Sequence, residues 1–435
     1  MRPGTPLILA LGVWSALGIA AAWTTSAVPA WRILGVLILG VASVDLLLLR
    51  RWPSPILSRS LNRTLPQGVW SPVRLRIENP SRRRLRLQVH DLHPADFEVS
   101  GLPRALVLGP SQGATIEYRL RPHRRGDQPM SGCDLALRSP LGLWVQRRTQ
   151  PLPATLRVFP NFAEISHYTL LATSDRLAGL GVRRLQRRGT GAEFHQLREY
   201  RLGDSLRQID WKATSRVRKL ISREYQDERD QRLIFLLDCG RRMRHLDESG
   251  RGHLDEALNA LLLLAYVAVR QGDAVGLMTY GGPRRWFAPR KDPATVNRLL
   301  EAVYDLQPSL EAADPLSAAR ELLQAVPRRA LVVLITNSRD EDQAGLERAA
   351  SLLRRRHLVV IADLRESSLD TNLAKPIQDL QDALRFHAIQ DWLASRRRHR
   401  EWLQHLGVAV LDLLPAQLPI ALVNRYFEIK RAGVL

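Results

Sequence analysis

The stretch LIFLLDCGRRM, residues 233–243, decides the fold of the C-terminal half of this chain. Its first five residues are apolar, Asp238 follows them, and Gly240 then precedes Arg241 and Arg242. An uninterrupted apolar run of this length indicates a strand that is buried on both faces of a sheet. Because ligands of open α/β sheets bind where the strands end, Asp238 marks a candidate functional edge.

Strands and helices alternate through the rest of the chain, over residues 231–435. Buried strands are predicted at RLIFLLD, DAVGLMTY, ALVVLIT, HLVVIAD and VAVLDLL, with helices between them. This alternation is typical of a parallel sheet that helices cover on both faces. We therefore predict a doubly wound α/β domain.

Residues 51–160 show a period of two instead. Stretches such as VRLRIEN, RLRLQVHD and TIEYRLRP alternate apolar residues with arginines, and Pro, Gly and Ser interrupt them. Such alternation indicates strands with one solvent-facing side. Several of them at close spacing predict an immunoglobulin-like β-sandwich. Its outward arginines are interpreted as solvated, and a nucleic-acid surface is the alternative.

Two apolar runs occupy residues 7–23 and 33–49, separated by TTSAVPAWR. Each is about 17 residues long, which is near the lower limit for crossing a bilayer. We predict a transmembrane helical hairpin over residues 1–50. A signal peptide is the alternative interpretation of the first run.

The flanking arginines predict the orientation of this hairpin. Arg32 stands alone between the runs, whereas four arginines follow the second run: Arg50, Arg51, Arg59 and Arg63. We therefore expect a multi-pass protein of a bacterial inner (cytoplasmic) membrane, with its other domains facing the cytoplasm. Asp45 lies inside the second run and is expected near the headgroups or against the first helix. Cys133 and Cys239 fit a reducing compartment, since two thiols make no disulfide framework.

The net charge of +21 is carried almost entirely by arginine, because only five of the 64 basic residues are lysines. Such a skew also arises from genomic base composition, so we expect no nucleic-acid partner. A domain tethered beside anionic lipid would still be attracted to it, by about 1 kcal/mol per nearby cation.

Several catalytic motifs are absent from the sequence. No lysine follows a glycine, which excludes a phosphate-binding G-K-[ST] loop, and neither H-E-x-x-H nor C-x-x-C occurs. His90 and His93 flank Asp91 and are interpreted as turn histidines, with metal ligation as the alternative. We expect neither an enzyme nor a cofactor.

A charged connector, residues 161–230, separates the two patterned regions. Its stretch GTGAEFHQLREYRLGDSLRQIDWKATSR, residues 189–216, resembles the domain-of-unknown-function 58 family in the order and spacing of R-E-Y, G-D and R-x-I-D-W. RPHRRGD (121–127), SPLGLWVQRR (139–148) and the C-terminal LDLLPAQLPIALVNRYFEIKR are similar to that family too. The signature residues are Arg198, Glu199, Tyr200, Gly203, Asp204, Arg207, Asp210 and Trp211.

The resemblance implies a membrane-anchored protein with a von Willebrand factor A-like domain, often encoded beside a MoxR-type AAA+ ATPase. We therefore expect a scaffold or adaptor that binds protein partners, among them such an ATPase. An anionic-lipid or nucleic-acid surface binder and an uncharacterised hydrolase are the alternatives. The signature is either a charge-paired strap that packs Tyr200 and Trp211 onto the sheet or an interface for the partner.

The same resemblance implies that the edge at Asp238 has lost a metal site. Related sites use Asp-x-Ser-x-Ser, a threonine from a second loop and a later aspartate, because Mg²⁺ prefers six oxygen ligands. This chain has at these positions Asp238, Gly240, Arg242, the stretch LEAADP (310–315) with Asp314, and Asn337. We therefore predict no metal, and we expect Arg242 or Arg241 to pair with Asp238.

Overall fold

The structure is a computed structural model that describes residues 1–23, 26, 28–161, 193–200, 209–226, 231–247 and 250–433. Contacts between Cα atoms divide the chain into two units, Met1–Phe159 and Pro160–Leu435. The protein is therefore multidomain, with N-terminal apolar helices and several β-sheets, as the sequence predicts.

The N-terminal unit combines two helices with two β-sheets. Its helices are α1 (Thr5–Ala21) and α2 (Val28–Arg50). Its strands are β1 (Arg2–Pro3), β2 (Ile56–Leu61), β3 (Thr64–Pro66), β4 (Ser71–Glu78), β5 (Leu85–Leu92), β6 (Phe97–Ser100), β7 (Arg104–Leu108), β8 (Gly113–Pro122), β9 (Gly126–Arg138) and β10 (Trp144–Phe159).

The described strands of this unit form one sheet in the order β1-β10-β9-β5-β7, with β3 beside β10, and a second in the order β2-β4-β8-β6. Pairing is antiparallel except between β3 and β10. Alternation places one face of each strand inward, so that Leu75, Leu120, Leu135 and Leu156 share a single core. The two sheets thus pack face to face as a sandwich.

A buried polar contact also joins the two sheets. Asp91 of β5 accepts a hydrogen bond from Arg59 Nε of β2 at 2.9 Å and another from the Tyr118 hydroxyl of β8. All three side chains are nearly inaccessible to solvent. The His90 and His93 rings lie 5.5 Å apart, and the described residues hold no group of three or more metal-ligating side chains anywhere.

The two apolar helices pack against each other through matching tryptophans. The rings of Trp14 and Trp31 stack at 4.8 Å, and each indole N–H donates to the backbone carbonyl of the other residue at 3.0–3.1 Å. A Cβ atom at Gly18 would lie 2.7 Å from Trp31 Nε1, and one at Gly35 would lie 2.8 Å from Trp14 Nε1. Among the described helices, α2 alone is long and apolar enough to cross a membrane, and α1 is shorter.

The helices are joined directly to the sandwich. The Leu141 N–H in the β9–β10 loop donates to Asp45 Oδ1 at 3.1 Å, so Asp45 lies against this loop. Trp144 Nε1 donates to the Ala42 carbonyl at 2.8 Å, and Arg148 donates to the Leu49 carbonyl at 3.1 Å. A cation near the last carbonyls of α2 also suits the negative end of the helix dipole.

The C-terminal unit contains a short ribbon and a doubly wound domain. Its strands are β11 (Glu193–Glu199), β12 (Ile221–Gln226), β13 (Arg232–Asp238), β14 (Ala274–Tyr280), β15 (Trp286–Arg290), β16 (Leu331–Thr336), β17 (Leu358–Leu364) and β18 (Ala409–Leu413). Its helices are α3 (Trp211–Val217), α4 (His253–Arg270), α5 (Thr295–Val303), α6 (Pro315–Ala325), α7 (Gln343–Leu353), α8 (Ser367–Leu373), α9 (Leu380–His405) and α10 (Leu418–Ala432).

The large sheet of this unit has the order β15-β14-β13-β16-β17-β18, parallel except for β15. One hydrophobic core lies between the sheet and helices α4, α5 and α10, and another lies under α6, α7 and α9. The predicted doubly wound arrangement is therefore present, with LIFLLD at its centre. Because the strands are parallel, their carboxyl ends share one edge.

Candidate functional site

Asp238 ends β13 at this edge and is 1% exposed. Its Oδ1 accepts the Gly240 N–H at 2.7 Å, and its Oδ2 accepts the Thr336 hydroxyl at 2.7 Å. Burial raises the pKa of Asp238 to about 6, although both hydrogen bonds favour the ionised form. The carboxylate is therefore held by a neighbouring backbone amide and by the last residue of β16.

The predicted ion pair between Asp238 and an arginine is wrong. Arg242 instead donates to Glu341 at 2.7 Å and to Asp342 at 3.2 Å, both of which follow β16. Arg241 bonds through its backbone N–H to the Glu311 carbonyl at 2.9 Å. The physical reason is that Asp238 lies buried at the strand end, whereas an arginine in the loop reaches carboxylates nearer to solvent at lower desolvation cost.

The cleft at Asp238 is lined by polar side chains as well as apolar ones, and Asp342, Thr336 and Ser338 are among the polar ones. The cleft has a volume of about 20 Å³, and Ala313, Pro315 and Leu346 contribute apolar surface to it. Asp314 accepts the Leu316 and Ser317 N–H groups at 3.0 Å as the N-cap of α6. Glycine and arginine stand in the two serine positions of the Asp-x-Ser-x-Ser pattern, and Arg241 and Arg242 line the same cleft.

Asn337 points into a separate buried cluster that the sequence did not predict. Its Nδ2 lies 3.1 Å from His253 Nδ1 and 3.3 Å from Glu366 Oε1, and Glu366 also pairs with Arg339. Burial, together with the nearby His245, lowers the pKa of His253 to about 4, so its imidazole is neutral at pH 7. The position after β16 therefore serves internal packing and not the Asp238 cleft.

A second buried network lies at the ends of β17 and β18. Asp363 Oδ2 accepts the Ser338 hydroxyl at 2.7 Å and lies 2.9 Å from the Arg396 guanidinium. Arg396 also contacts Asp412 at 3.0 Å, and it is 5% exposed. Burial raises the pKa of Asp363, while Arg396 opposes that rise. Helix α9 is thereby fixed across this part of the edge.

Part of the family signature forms a small ribbon with a helix. Strands β11 and β12 pair antiparallel, with Arg198 opposite Ser222. Glu199 bonds Lys219 Nζ at 2.8 Å, and the Tyr200 N–H donates to the Leu220 carbonyl at 2.8 Å. The remaining signature residues Gly203, Asp204 and Arg207 lie outside the described residues.

Asp210 and Trp211 begin helix α3. Asp210 is the N-cap, and its Oδ1 accepts the Lys212 and Ala213 N–H groups at 3.0 Å. The Trp211 side chain is 67% exposed. This exposure does not agree with a strap that packs Trp211 onto the sheet.

Three further apolar side chains of the same segment are also exposed, namely Leu197 at 46%, Val217 at 58% and Leu220 at 46%. Ile209 and Ile221 of the same segment are buried instead. The segment thus presents apolar side chains outward on a scaffold that backbone pairing and an N-cap hold in place.

Residues 196–401 match the model of a family described as protein of unknown function DUF58. The uncharacterized protein YeaD of Bacillus subtilis (strain 168) is 23% identical over 242 residues, which are 53% of this chain and 56% of that protein. The chain therefore spans about half the length of the curated relative that it matches.

Two solved structures each match about a quarter of the chain. A FixG-related protein from Vibrio parahaemolyticus is 9% identical, covers 24% of this chain and 97% of its own, and has a TM-score of 0.19. The native E. coli alpha-2-macroglobulin is 21% identical over 24% of this chain and 6% of its own, with a TM-score of 0.21. Scores this low carry no conclusion about the fold or the function.

Proposed function

From the premise that this chain belongs, through residues 196–401, to the DUF58 family, we propose that it is a membrane-anchored scaffold that binds protein partners. The partner that the family resemblance favours is a MoxR-type AAA+ ATPase. In this proposal the apolar helices anchor the chain in the inner membrane, and the signature segment receives the partner.

The anchor is supported by the length and apolarity of α2 and by its pairing with α1. Val28–Arg50 spans 23 residues, which at 1.5 Å per residue exceeds the roughly 30 Å of a hydrocarbon core. The chain enters α1 and leaves α2 at the same end, beside the sandwich. The sandwich and the doubly wound domain then face the cytoplasm, because Arg50 and Arg51 follow the second span.

The von Willebrand factor A-like assignment of the doubly wound domain is part of the same proposal. It is supported by the central position of β13, by the parallel order of its neighbours and by an aspartate at the end of that strand. The sandwich is likewise proposed to be immunoglobulin-like, given its two face-to-face sheets. Neither domain is assigned a reaction, since Asp238 is bonded internally.

The observation that carries the proposal is the 67% exposure of Trp211 on a capped helix inside the family signature. Tryptophan and arginine are the residue types most enriched among interface hot spots. A solvent-exposed tryptophan whose backbone is fixed on both sides loses little conformational entropy on binding. The Asp238 edge offers no comparable anchor in Asp238 itself, because that side chain is only 1% exposed.

The test compares binding of one purified MoxR-type ATPase from the same organism to the detergent-solubilised full chain and two variants. We expect Trp211→Ala to weaken binding about 30-fold, which corresponds to a hot-spot loss of about 2 kcal/mol. Trp286→Ala is the matched control, because Trp286 is also exposed, at 43%, but lies on edge strand β15. Biolayer interferometry gives the dissociation constants.

Equal affinity of the Trp211→Ala variant and the wild type would remove the signature segment as the interface. Absence of any binding by the wild type would remove the ATPase as the partner. A steep loss of affinity with salt, without an effect of Trp211, would favour a charged surface instead.

A further inference from the structure

The end of the sandwich beside the apolar helices carries a cross-strand row of arginines. Arg2 of β1 pairs with Val145, Val145 pairs with Arg138, and Arg138 pairs with Arg86. Directly paired residues of an antiparallel sheet project from the same face. Arg2, Arg138 and Arg86 are all exposed, and three strand spacings place them within about 15 Å.

This row lies at the foot of the helices. Arg2 comes two residues before Gly4, whose N–H donates to the Leu143 carbonyl at 2.7 Å, and α1 begins at Thr5. Arg138 immediately precedes the loop in which the Leu141 N–H donates to Asp45 of α2. The Leu141 side chain is 60% exposed in the same loop.

Further arginines surround the same end. The Trp52 indole, just after α2, donates to Ser81 Oγ at 3.3 Å, which places the following loop beside the end of that helix. We call the exposed basic set at this end the arginine collar, and its members are Arg2, Arg50, Arg51, Arg82, Arg83, Arg84, Arg86 and Arg138.

The collar is not neutralised by the described part of the chain. None of its side chains forms a salt bridge with a described carboxylate, and Glu78 at this end pairs with Arg76 at 2.7 Å. Arg86 and Arg138 lie directly opposite each other, an arrangement that raises the energy of the sheet unless an anion lies between them.

The opposite end of the sandwich differs in its charge pairing. There Arg121 and His123 lie 3.4 Å and 3.5 Å from Glu98, and Arg124 lies 3.9 Å from Asp96. Acidic side chains thus pair with part of the positive charge at that end, whereas no described carboxylate pairs with a member of the collar.

We propose that the arginine collar binds the anionic lipid headgroups of the leaflet at which α1 begins and α2 ends. This inference rests on the proposed membrane anchor and adds the lipid class that the anchor prefers. Guanidinium groups bind phosphate oxygens in a bidentate fashion, and each cation near the surface favours association about fivefold. A headgroup is the occupant at this position because the bilayer itself surrounds the foot of the helices.

The test uses the full chain in neutral detergent, titrated with phosphatidylglycerol or phosphatidylcholine, with bound lipid counted by native mass spectrometry. We expect at least a tenfold preference for phosphatidylglycerol in the wild type. We expect this preference to fall at least tenfold in the triple variant Arg83→Gln, Arg86→Gln, Arg138→Gln. The matched control Arg63→Gln, Arg104→Gln, Arg124→Gln removes three exposed arginines away from the collar and retains the preference within twofold.

Three results would overturn the collar proposal: equal preference in the triple variant and the wild type, equal loss in the control, or displacement of the lipid by millimolar inorganic phosphate. Binding of a DNA duplex that only the collar substitutions abolish would assign the surface to nucleic acid instead. Retention of the chain in membranes after alkaline carbonate separates the two proposals. A retained chain without lipid preference contradicts the collar alone, whereas a released chain contradicts the membrane anchor.

Discussion

At the scale of single residues, Asp238 is the last residue of the central strand β13 and a buried titratable group at the carboxyl edge of the sheet. A buried carboxylate whose pKa is raised to about 6 binds its proton more strongly in the folded chain than in the unfolded one, where the value is about 3.9. The folded state therefore holds more protons between pH 4 and pH 6. The contribution of Asp238 to the free energy of unfolding is therefore fully present below pH 4, and it is lost as the pH rises through 6.

We expect Asp238→Asn to stabilise β13 at pH 7.5 by about 1–3 kcal/mol, because the amide avoids a buried charge. Its oxygen can still accept the Gly240 N–H, and its nitrogen can donate to the Thr336 hydroxyl. At pH 4 the variant and the wild type are expected to be equally stable. Hydrogen exchange of the β13 peptide at both pH values measures the difference.

The exposed Asp314→Asn variant is the control, since asparagine also caps a helix and leaves its stability unchanged at both pH values. If Asp238→Asn instead destabilises β13 at pH 7.5, the interactions of the ionised carboxylate stabilise the fold by more than the desolvation of its charge destabilises it. Binding of a ligand that requires a negative charge would then explain why an ionised aspartate is present at this edge.

Arg242 bonds the acidic turn after β16 and not Asp238. Its position two residues beyond a glycine permits contact with Asp238 as far as spacing is concerned, but the acidic turn after β16 provides closer partners. Thr336 and Ser338 supply the hydroxyls that bond the two buried aspartates. The sequence signal for them was the polar stretch TNS directly after a buried strand.

At the scale of elements, helix α9 depends on one arginine among several. The stretch SRRRHRE, residues 395–401, offers four arginines, yet Arg396 is the one that is 5% exposed between Asp363 and Asp412. Its guanidinium also donates to the Ser338 and Leu364 carbonyls at 3.1 Å. The helix is therefore fixed to the sheet by a buried, fully bonded cation.

Arg396→Met is expected to destabilise the α9 contact by about 3–5 kcal/mol, because it leaves Asp363 buried without its cation. Arg397→Met is the matched control on the neighbouring exposed position and is expected to change stability by less than about 0.5 kcal/mol. Hydrogen exchange of the α9 peptide measures both. Equal protection in the two variants would mean that Asp363 takes up a proton when Arg396 is removed.

At the scale of the whole molecule, the proposed membrane anchor predicts which segments lie on each side of the membrane. Trp23, after α1, is 87% exposed, and the native cysteines Cys133 and Cys239 are 0% exposed. A cysteine introduced by Trp23→Cys is therefore expected to react with an impermeant maleimide in intact spheroplasts. Arg83→Cys, in the sandwich, is expected to react only after permeabilisation.

The reverse labelling pattern would invert the topology and move the collar to the outer leaflet. Labelling of both positions without permeabilisation would contradict the hairpin. The unsubstituted chain is the background control, because its two thiols are buried and are expected to remain unlabelled while the protein is folded.

The sequence by itself determined which structural regions the chain contains and in which order they follow one another. Apolar runs, period-two alternation and buried strands between helices are local patterns, so they located the hairpin helices, the sandwich and the doubly wound sheet within a few residues. Asp238 at the end of the central strand and the position of Asn337 after β16 were likewise readable, since a strand end is a local property. The signature segment was recognised by its spacing.

Only the tertiary structure decided which charged groups meet. The contacts of Asp238 with Thr336, of Asn337 with His253, and of Arg396 with Asp363 join residues separated by 98, 84 and 33 positions. In a chain with 64 basic residues, composition cannot select among so many similar partners. Burial makes that selection, because a charge withdrawn from water must find its complement nearby, while Trp211 and the collar remain exposed.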